Sequence, residues 1–246
     1  MRRFSVLFLI LLLILPAIAQ EEDAMMESTI IEISASDDLV LKGDFYVPEQ
    51  RAEQGHPAVL LMHMLGGQRD DYEALIPILL DAGYVVLTVD MRGHGATGGS
   101  NDWTLAEEDV QVWLDWLREQ ESVNGAAVAT LGASIGSNLA LMGCANDEGC
   151  MTAIALSPGL DYRGVAPVDA VNEALSERSA LLIASHADAY SADSVREIFG
   201  SAPGNITARL YSGRAHGTQL FVNELESVSQ VIVAWLNEHL KMSNPA

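Results

Sequence analysis

Ser134 stands at the centre of Gly132-Ala133-Ser134-Ile135-Gly136, a G-x-S-x-G sequence between an apolar run (residues 126–131) and a stretch of helical spacing (residues 134–144). A strand that turns directly into a helix forces the corner residue into a strained backbone conformation, and glycines two positions to either side make room for the turn. Such a corner lifts the serine hydroxyl above the sheet edge, and the helix N-terminus beneath it favours developing negative charge. A serine hydroxyl is a weak nucleophile and needs a base within hydrogen-bond reach. The chemistry to look for is therefore acyl transfer through a serine, a histidine and a carboxylate.

Six histidines are available: His56, His63, His94, His186, His216 and His239. His216 lies in Gly213-Arg214-Ala215-His216-Gly217, between the last expected strand and the final helix. That is the carboxyl edge of a parallel sheet, where ligands bind in such folds. His239, beside Glu238, reads as a solvated surface residue, and His56, before a proline, as part of a polar turn. For the carboxylate, Asp188 follows the expected strand 180–185 on a loop. Asp193 reads better as part of the next helix's first turn, and Asp161, after the preceding strand, is the other candidate. Chain order Ser, Asp, His favours Asp188. Acyl transfer also needs oxyanion donors. The backbone N–H of Ile135 is one, and the loop His63-Met64-Leu65-Gly66-Gly67 supplies the other, from Leu65 or, failing that, Met64.

The elements that must hold these residues alternate along the chain. Residues 29–34 and 39–47 read as two strands joined by a turn at Ser36-Asp37-Asp38. Residues 58–63, 84–89, 126–131, 151–156, 180–185 and 206–211 follow as strands, most of them continuous apolar runs of the kind buried on both faces. Helical spacing falls at 70–82 (ending at Gly83), 105–119, 134–144, 168–177, 191–199 and 218–240. The last of these carries Phe221, Leu225, Val228, Ile232, Trp235 and Leu236 on one side. This alternation predicts an eight-stranded, mostly parallel α/β sheet with helices on both faces and an antiparallel hairpin at one edge. The connection over 161–179 is too short for a large cap domain.

Composition narrows the partners. The net charge is −21, and so acidic a surface repels phosphate backbones and anionic membranes, which argues against nucleic-acid binding. No clustered Cys/His spacing suggests a metal, and no cofactor is expected. Cys144 and Cys150 can pair or remain free thiols, and spacing leaves both open. Residues 1–19 have a basic start, an apolar stretch and the small-x-small end Ala17-Ile18-Ala19, the pattern of a cleaved export signal. The apolar run is shorter than the roughly 20 residues a membrane-spanning helix needs. A polar leader over 20–28 and one domain over 29–246 follow, secreted or periplasmic and with no membrane attachment after cleavage.

On these motifs the chain resembles the α/β-hydrolase superfamily, in particular its small dienelactone-hydrolase-like and serine-esterase or serine-aminopeptidase-like members. The loop His63-Met64-Leu65-Gly66-Gly67 is similar to the family's His-Gly-x-Gly loop, and Asp90-Met91-Arg92-Gly93-His94-Gly95 to its Asp-x-Arg-Gly-His-Gly turn. Ser134, Asp188 and His216 fall where the family's triad falls. The resemblance implies an α/β-hydrolase fold and a serine hydrolase that acts on a small ester or other acyl substrate through an acyl-enzyme. It implies that Asp90 and His94 brace the loops and that His63 supports the oxyanion loop. Met64 departs from the usual glycine, and a serine nucleophile, where dienelactone hydrolases use cysteine, points to ordinary esters or amides. A peptidase on the same machinery, or a non-catalytic binding protein on the same fold, are the alternatives.

Overall fold

The computed structural model describes residues 27–240 apart from 176 and 203. The expected export segment (1–19) lies outside the described residues, as does most of the leader.

The eight strands form one sheet in the order β1-β2-β4-β3-β5-β6-β7-β8. At its edge, β1 (Thr29–Ser34) and β2 (Val40–Tyr46) make the expected antiparallel hairpin, turning at Asp38 with φ +65°. β2 also runs antiparallel to β4 (Val85–Asp90). From there β3 (His56–Met62), β5 (Val123–Ala133), β6 (Cys150–Leu156), β7 (Ala180–Ser185) and β8 (Ile206–Tyr211) are parallel. Alternate residues of β3 serve opposite faces. Val59 and Leu61 pack with the first and last helices, α1 (Ile76–Asp81) and α6 (Leu220–His239), while Ala58, Leu60 and Met62 pack with α2 (Trp103–Arg118) and α3 (Ile135–Ala145). All five are essentially inaccessible. Burial on both faces is why these strands read as unbroken apolar runs and not as alternating ones.

Several helices differ from their sequence-based extents. The helix expected over 70–82 is a 3₁₀ turn (Arg69–Tyr72) followed by the short α1. Pro77 has no N–H to give and its ring crowds the carbonyl four residues back, so the helix must restart around it. α2 begins before residue 105, because the Asp102 carboxylate caps it by accepting from the N–H groups of Thr104 and Leu105 at 3.1 Å each. The helix expected over 168–177 is a three-residue turn, α4 (Val168–Ala170), running into a π-helical turn (Val171–Leu175) that carries Val171 and Leu175 into the core. α5 (Ala189–Ser201) starts directly after Asp188. His56 is the first residue of β3 and buried, its Nδ1 3.1 Å from the Gly83 carbonyl, and so is no part of a polar turn. His239 is half-buried against Trp235, with ring centroids 4.0 Å apart, where a solvated residue was expected. Among the described residues no cap domain is inserted; between β6 and β7 there is only a loop, α4 and the π turn.

Cys144, near the end of α3, and Cys150, opening β6, are joined by a disulfide with Cα atoms 5.1 Å apart.

Candidate active site

Ser134 occupies the corner between β5 and α3 with φ +53° and ψ −123°. This conformation costs a non-glycine residue about 1–3 kcal/mol, which the surroundings must over-determine. They do so with hydrogen bonds: the Ser134 N–H donates to Leu156 O at 2.8 Å, and its carbonyl accepts from the Ser137 N–H at 2.8 Å. The flanking glycines are there for lack of space. A Cβ at Gly132 would lie 1.9 Å from Gly136 O, and one at Gly136 would lie 2.3 Å from His63 O.

His216 follows β8 and projects towards this corner. Its Nε2 is 2.7 Å from Ser134 Oγ and its Nδ1 is 2.7 Å from Asp188 Oδ2. Asp188 holds the N-cap position of α5, yet its side chain makes no bond to the helix amides and is spent on the imidazole instead. One bond anchors the histidine loop to the residue after β6, and a second closes the loop's own turn. The Gly217 N–H donates to Ser157 Oγ at 2.9 Å, and the His216 N–H to Gln219 Oε1 at 3.1 Å. Of the competing carboxylates, Asp193 is exposed and pairs with Arg196 on α5 at 2.6 Å, and Asp161 closes its own loop by accepting from the Gly164 N–H at 2.7 Å.

The loop after β3 is held by His63, which is fully buried. Its Nε2 accepts from the Met91 N–H at 3.0 Å, so the ring proton sits on Nδ1, which donates to Met64 O at 2.8 Å. Burial draws its pKa down to about 4 and keeps the ring neutral. Met64 O also accepts from the Gly67 N–H at 2.9 Å. With that carbonyl drawn into the turn, the N–H of the same trans peptide, which belongs to Leu65, must face the other way. Ile135, the first residue of α3, has no intrahelical acceptor for its N–H. Met64 Sδ packs beside Thr218 at 3.9 Å and narrows the space next to His216.

The turn after β4 braces this loop from below. Asp90 accepts from the Arg69 N–H (2.9 Å), the Arg69 guanidinium (2.9 Å) and the Ala96 N–H (2.8 Å). The His94 ring meets that of His63 edge-on at 5.0 Å. Two residues close to the serine escaped the sequence reading. Ser157, at the end of β6, is buried with φ +55°, and Tyr162 stands edge-on to His216 at 6.4 Å. The available signal was position alone, since both follow a parallel strand at its carboxyl end.

The family model of the X-Pro dipeptidyl-peptidases (S15 family) matches residues 37–191, well over half the chain. The chain belongs to this family. The match takes in Ser134 and Asp188 and stops before His216. Curated relatives of this family member include an uncharacterized 31.7 kDa protein of Escherichia coli, 27% identical over 42% of this chain and 37% of the relative. Another is the uncharacterized protein YfhR of Salmonella typhimurium, 28% identical over 57% of this chain and 52% of the relative. The chain thus spans about a third to a half of the length of the relatives it matches. Among solved structures it resembles the α/β hydrolase GrgF of a Penicillium species, with TM-score 0.77 and 16% identity over 88% of this chain and 100% of that one. It also resembles the dienelactone hydrolase of Anabaena variabilis, with TM-score 0.72 and 18% identity over 87% and 98% of the two chains. The S15 family member has the α/β-hydrolase fold.

Proposed function

We propose that this S15 family member is a serine hydrolase that cleaves carboxylic esters or related acyl bonds through an acyl-enzyme. The observation that carries the reading is the unbroken chain from Asp188 Oδ2 through both nitrogens of His216 to Ser134 Oγ, with both contacts at 2.7 Å. In this reading Ser134 Oγ attacks the substrate carbonyl while His216 Nε2 takes its proton. The tetrahedral oxyanion accepts from the N–H groups of Ile135 and Leu65. His216 returns the proton to the leaving group, and water, activated by the same imidazole, releases the acid. Asp188 fixes the tautomer that leaves Nε2 free to act as the base and stabilises the imidazolium that forms. The outward-facing Leu65 peptide and the strained serine corner support these roles.

Membership of the X-Pro dipeptidyl-peptidase family favours a second reading, peptide-bond cleavage after proline by the same groups. Turnover of p-nitrophenyl acetate against a Gly-Pro-p-nitroanilide separates the two. Hydrolysis of the ester by wild type, with a loss of about 10⁴-fold or more in Ser134→Ala, is the expected result. An unaffected Ser134→Ala rules out the mechanism, and turnover of the anilide alone selects the peptidase.

We propose further that residues 1–19 direct export and are removed. The Cys144–Cys150 disulfide supports this, because such bonds persist in oxidising compartments. Sequencing the mature N-terminus tests it: a chain that still begins at Met1 contradicts the proposal.

A further inference from the structure

The loop after β6 brings an aromatic hydroxyl to the site on a rigid mount. Asn138, buried in α3 one turn beyond the serine, clamps that loop at two residues with three bonds. Its Nδ2 donates to Gly159 O (2.9 Å) and Val165 O (2.7 Å), and its Oδ1 accepts from the Gly159 N–H (3.0 Å). Between these points Tyr162 and Val165 exchange backbone bonds at 3.1 and 3.0 Å. Tyr162 is therefore fixed relative to the helix that carries Ser134.

The polar partners of the Tyr162 phenol leave its proton free to move. Tyr162 Oη lies 3.3 Å from Ser157 O and 3.1 Å from Ser191 Oγ, and Ser191 Oγ lies 3.4 Å from the same carbonyl. Ser191 can satisfy Ser157 O alone, so the phenol can turn its proton away from that carbonyl and towards the space beside His216, whose ring centroid lies 6.4 Å from its own. Burial pushes the phenol's pKa upward, so it stays a donor and does not act as a base.

Direction decides what it donates to. β3 and β6 flank β5 on opposite sides. The oxyanion loop follows β3; Tyr162 follows β6, on the side from which His216 and Asp188 also arrive. With the carbonyl oxygen at Leu65 and Ile135, the substituent that His216 must protonate is the one on the His216 side, and there Tyr162 stands edge-on to the imidazole.

We propose that the Tyr162 hydroxyl donates a hydrogen bond to the leaving-group heteroatom as the acyl–heteroatom bond breaks. The inference rests on the Ser134–His216 reading above. The bond from Ser134 Oγ to the carbonyl carbon forms as the Oγ proton moves to His216 Nε2. On collapse, the bond to the leaving oxygen or nitrogen breaks and that heteroatom receives the proton from His216. Tyr162 keeps its own proton throughout and stabilises the charge that builds before the transfer is complete. Its effect therefore grows with the basicity of the leaving group.

The test compares kcat/KM, which reports acylation, for wild type and Tyr162→Phe on a series of acetates running from p-nitrophenyl through phenyl to alkyl. Removing a donor to a charged acceptor should lower kcat/KM for the alkyl ester about 10- to 100-fold, with p-nitrophenyl acetate changed by no more than about threefold. Ser191→Ala keeps the phenol but loosens it, and should show the same selectivity in weaker form even if Tyr162→Phe folds poorly. Equal losses on every ester would mean a structural role and overturn the proposal, as would no loss on any. If fluorophosphonate fails to label wild type and no ester is turned over, the nucleophile reading has failed, and this inference falls with it. Labelling with a flat ester series refutes Tyr162 alone.

Discussion

His63 shows how a histidine in the loop beside the serine corner can be kept from exchanging protons. Both of its nitrogens are committed, one accepting from the Met91 N–H and the other donating to Met64 O, and burial holds its pKa at about 4 where an exposed imidazole has 6.5. Between those two values the unfolded chain binds a proton that the folded chain does not. The stabilisation is therefore complete above pH 6.5 and is lost as pH falls towards 4. A displacement of this size corresponds to about 3 kcal/mol from this group. Urea midpoints measured between pH 7 and 4 should fall for wild type. In His63→Asn, a less stable protein at pH 7, that part of the fall should disappear. Equal pH slopes in both proteins would show that another group titrates.

At the scale of elements, the serine corner depends on the contact between β5, α3 and the loop after β3. Gly132→Ala places a methyl group against the Gly136 carbonyl, which is backbone and cannot swing away. Overpacking typically costs about 1–3 kcal/mol, and here the upper end or more is expected, read as a lowered thermal midpoint; an unchanged midpoint would mean the corner is looser than described. This contact also explains what was legible in the sequence. The motif Gly132-Ala133-Ser134-Ile135-Gly136 could be read because the tight corner restricts residue type locally. The strands could be read because burial on both faces leaves unbroken apolar runs. Helix limits were less legible. Pro77 broke a helix whose apolar spacing carried on, and Asp102 capped α2 upstream of the first apolar residue of the stripe. Tyr162 and Ser157 left no local signal, since what matters about them is which strand neighbours β5, and that is decided by sheet order. The burial of His56 beside Gly83 likewise depends on the folded chain, whereas Trp235 lies four residues before His239 on α6, so that contact was open to helical spacing alone.

For the molecule as a whole, the Cys144–Cys150 bridge ties the end of α3, the helix that starts at Ser134, to β6, the strand that leads to Ser157 and Tyr162. The loop it closes is short, and chain-entropy reasoning assigns such a loop about 2 kcal/mol. For a domain of this size the double variant Cys144→Ala/Cys150→Ala should melt about 4–8 °C lower than wild type. The reducing agent that destabilises wild type should leave the variant unchanged, and a wild type indifferent to reductant would contradict the role assigned to the bridge. The acidity of the chain, −21 overall, promotes solubility and does not identify a substrate. Under the proposed reading, selectivity comes from the walls of the site, among them Met64 and Tyr162.

Every catalytic role proposed above depends on the Ser134 hydroxyl being a nucleophile activated by His216. Treating the full-length protein with a fluorophosphonate and mapping the adduct by peptide mass spectrometry tests it most directly. A single phosphonyl adduct on Ser134 is expected, absent in Ser134→Ala and formed far more slowly in His216→Ala. An adduct on another residue, or wild type left unmodified, would contradict it.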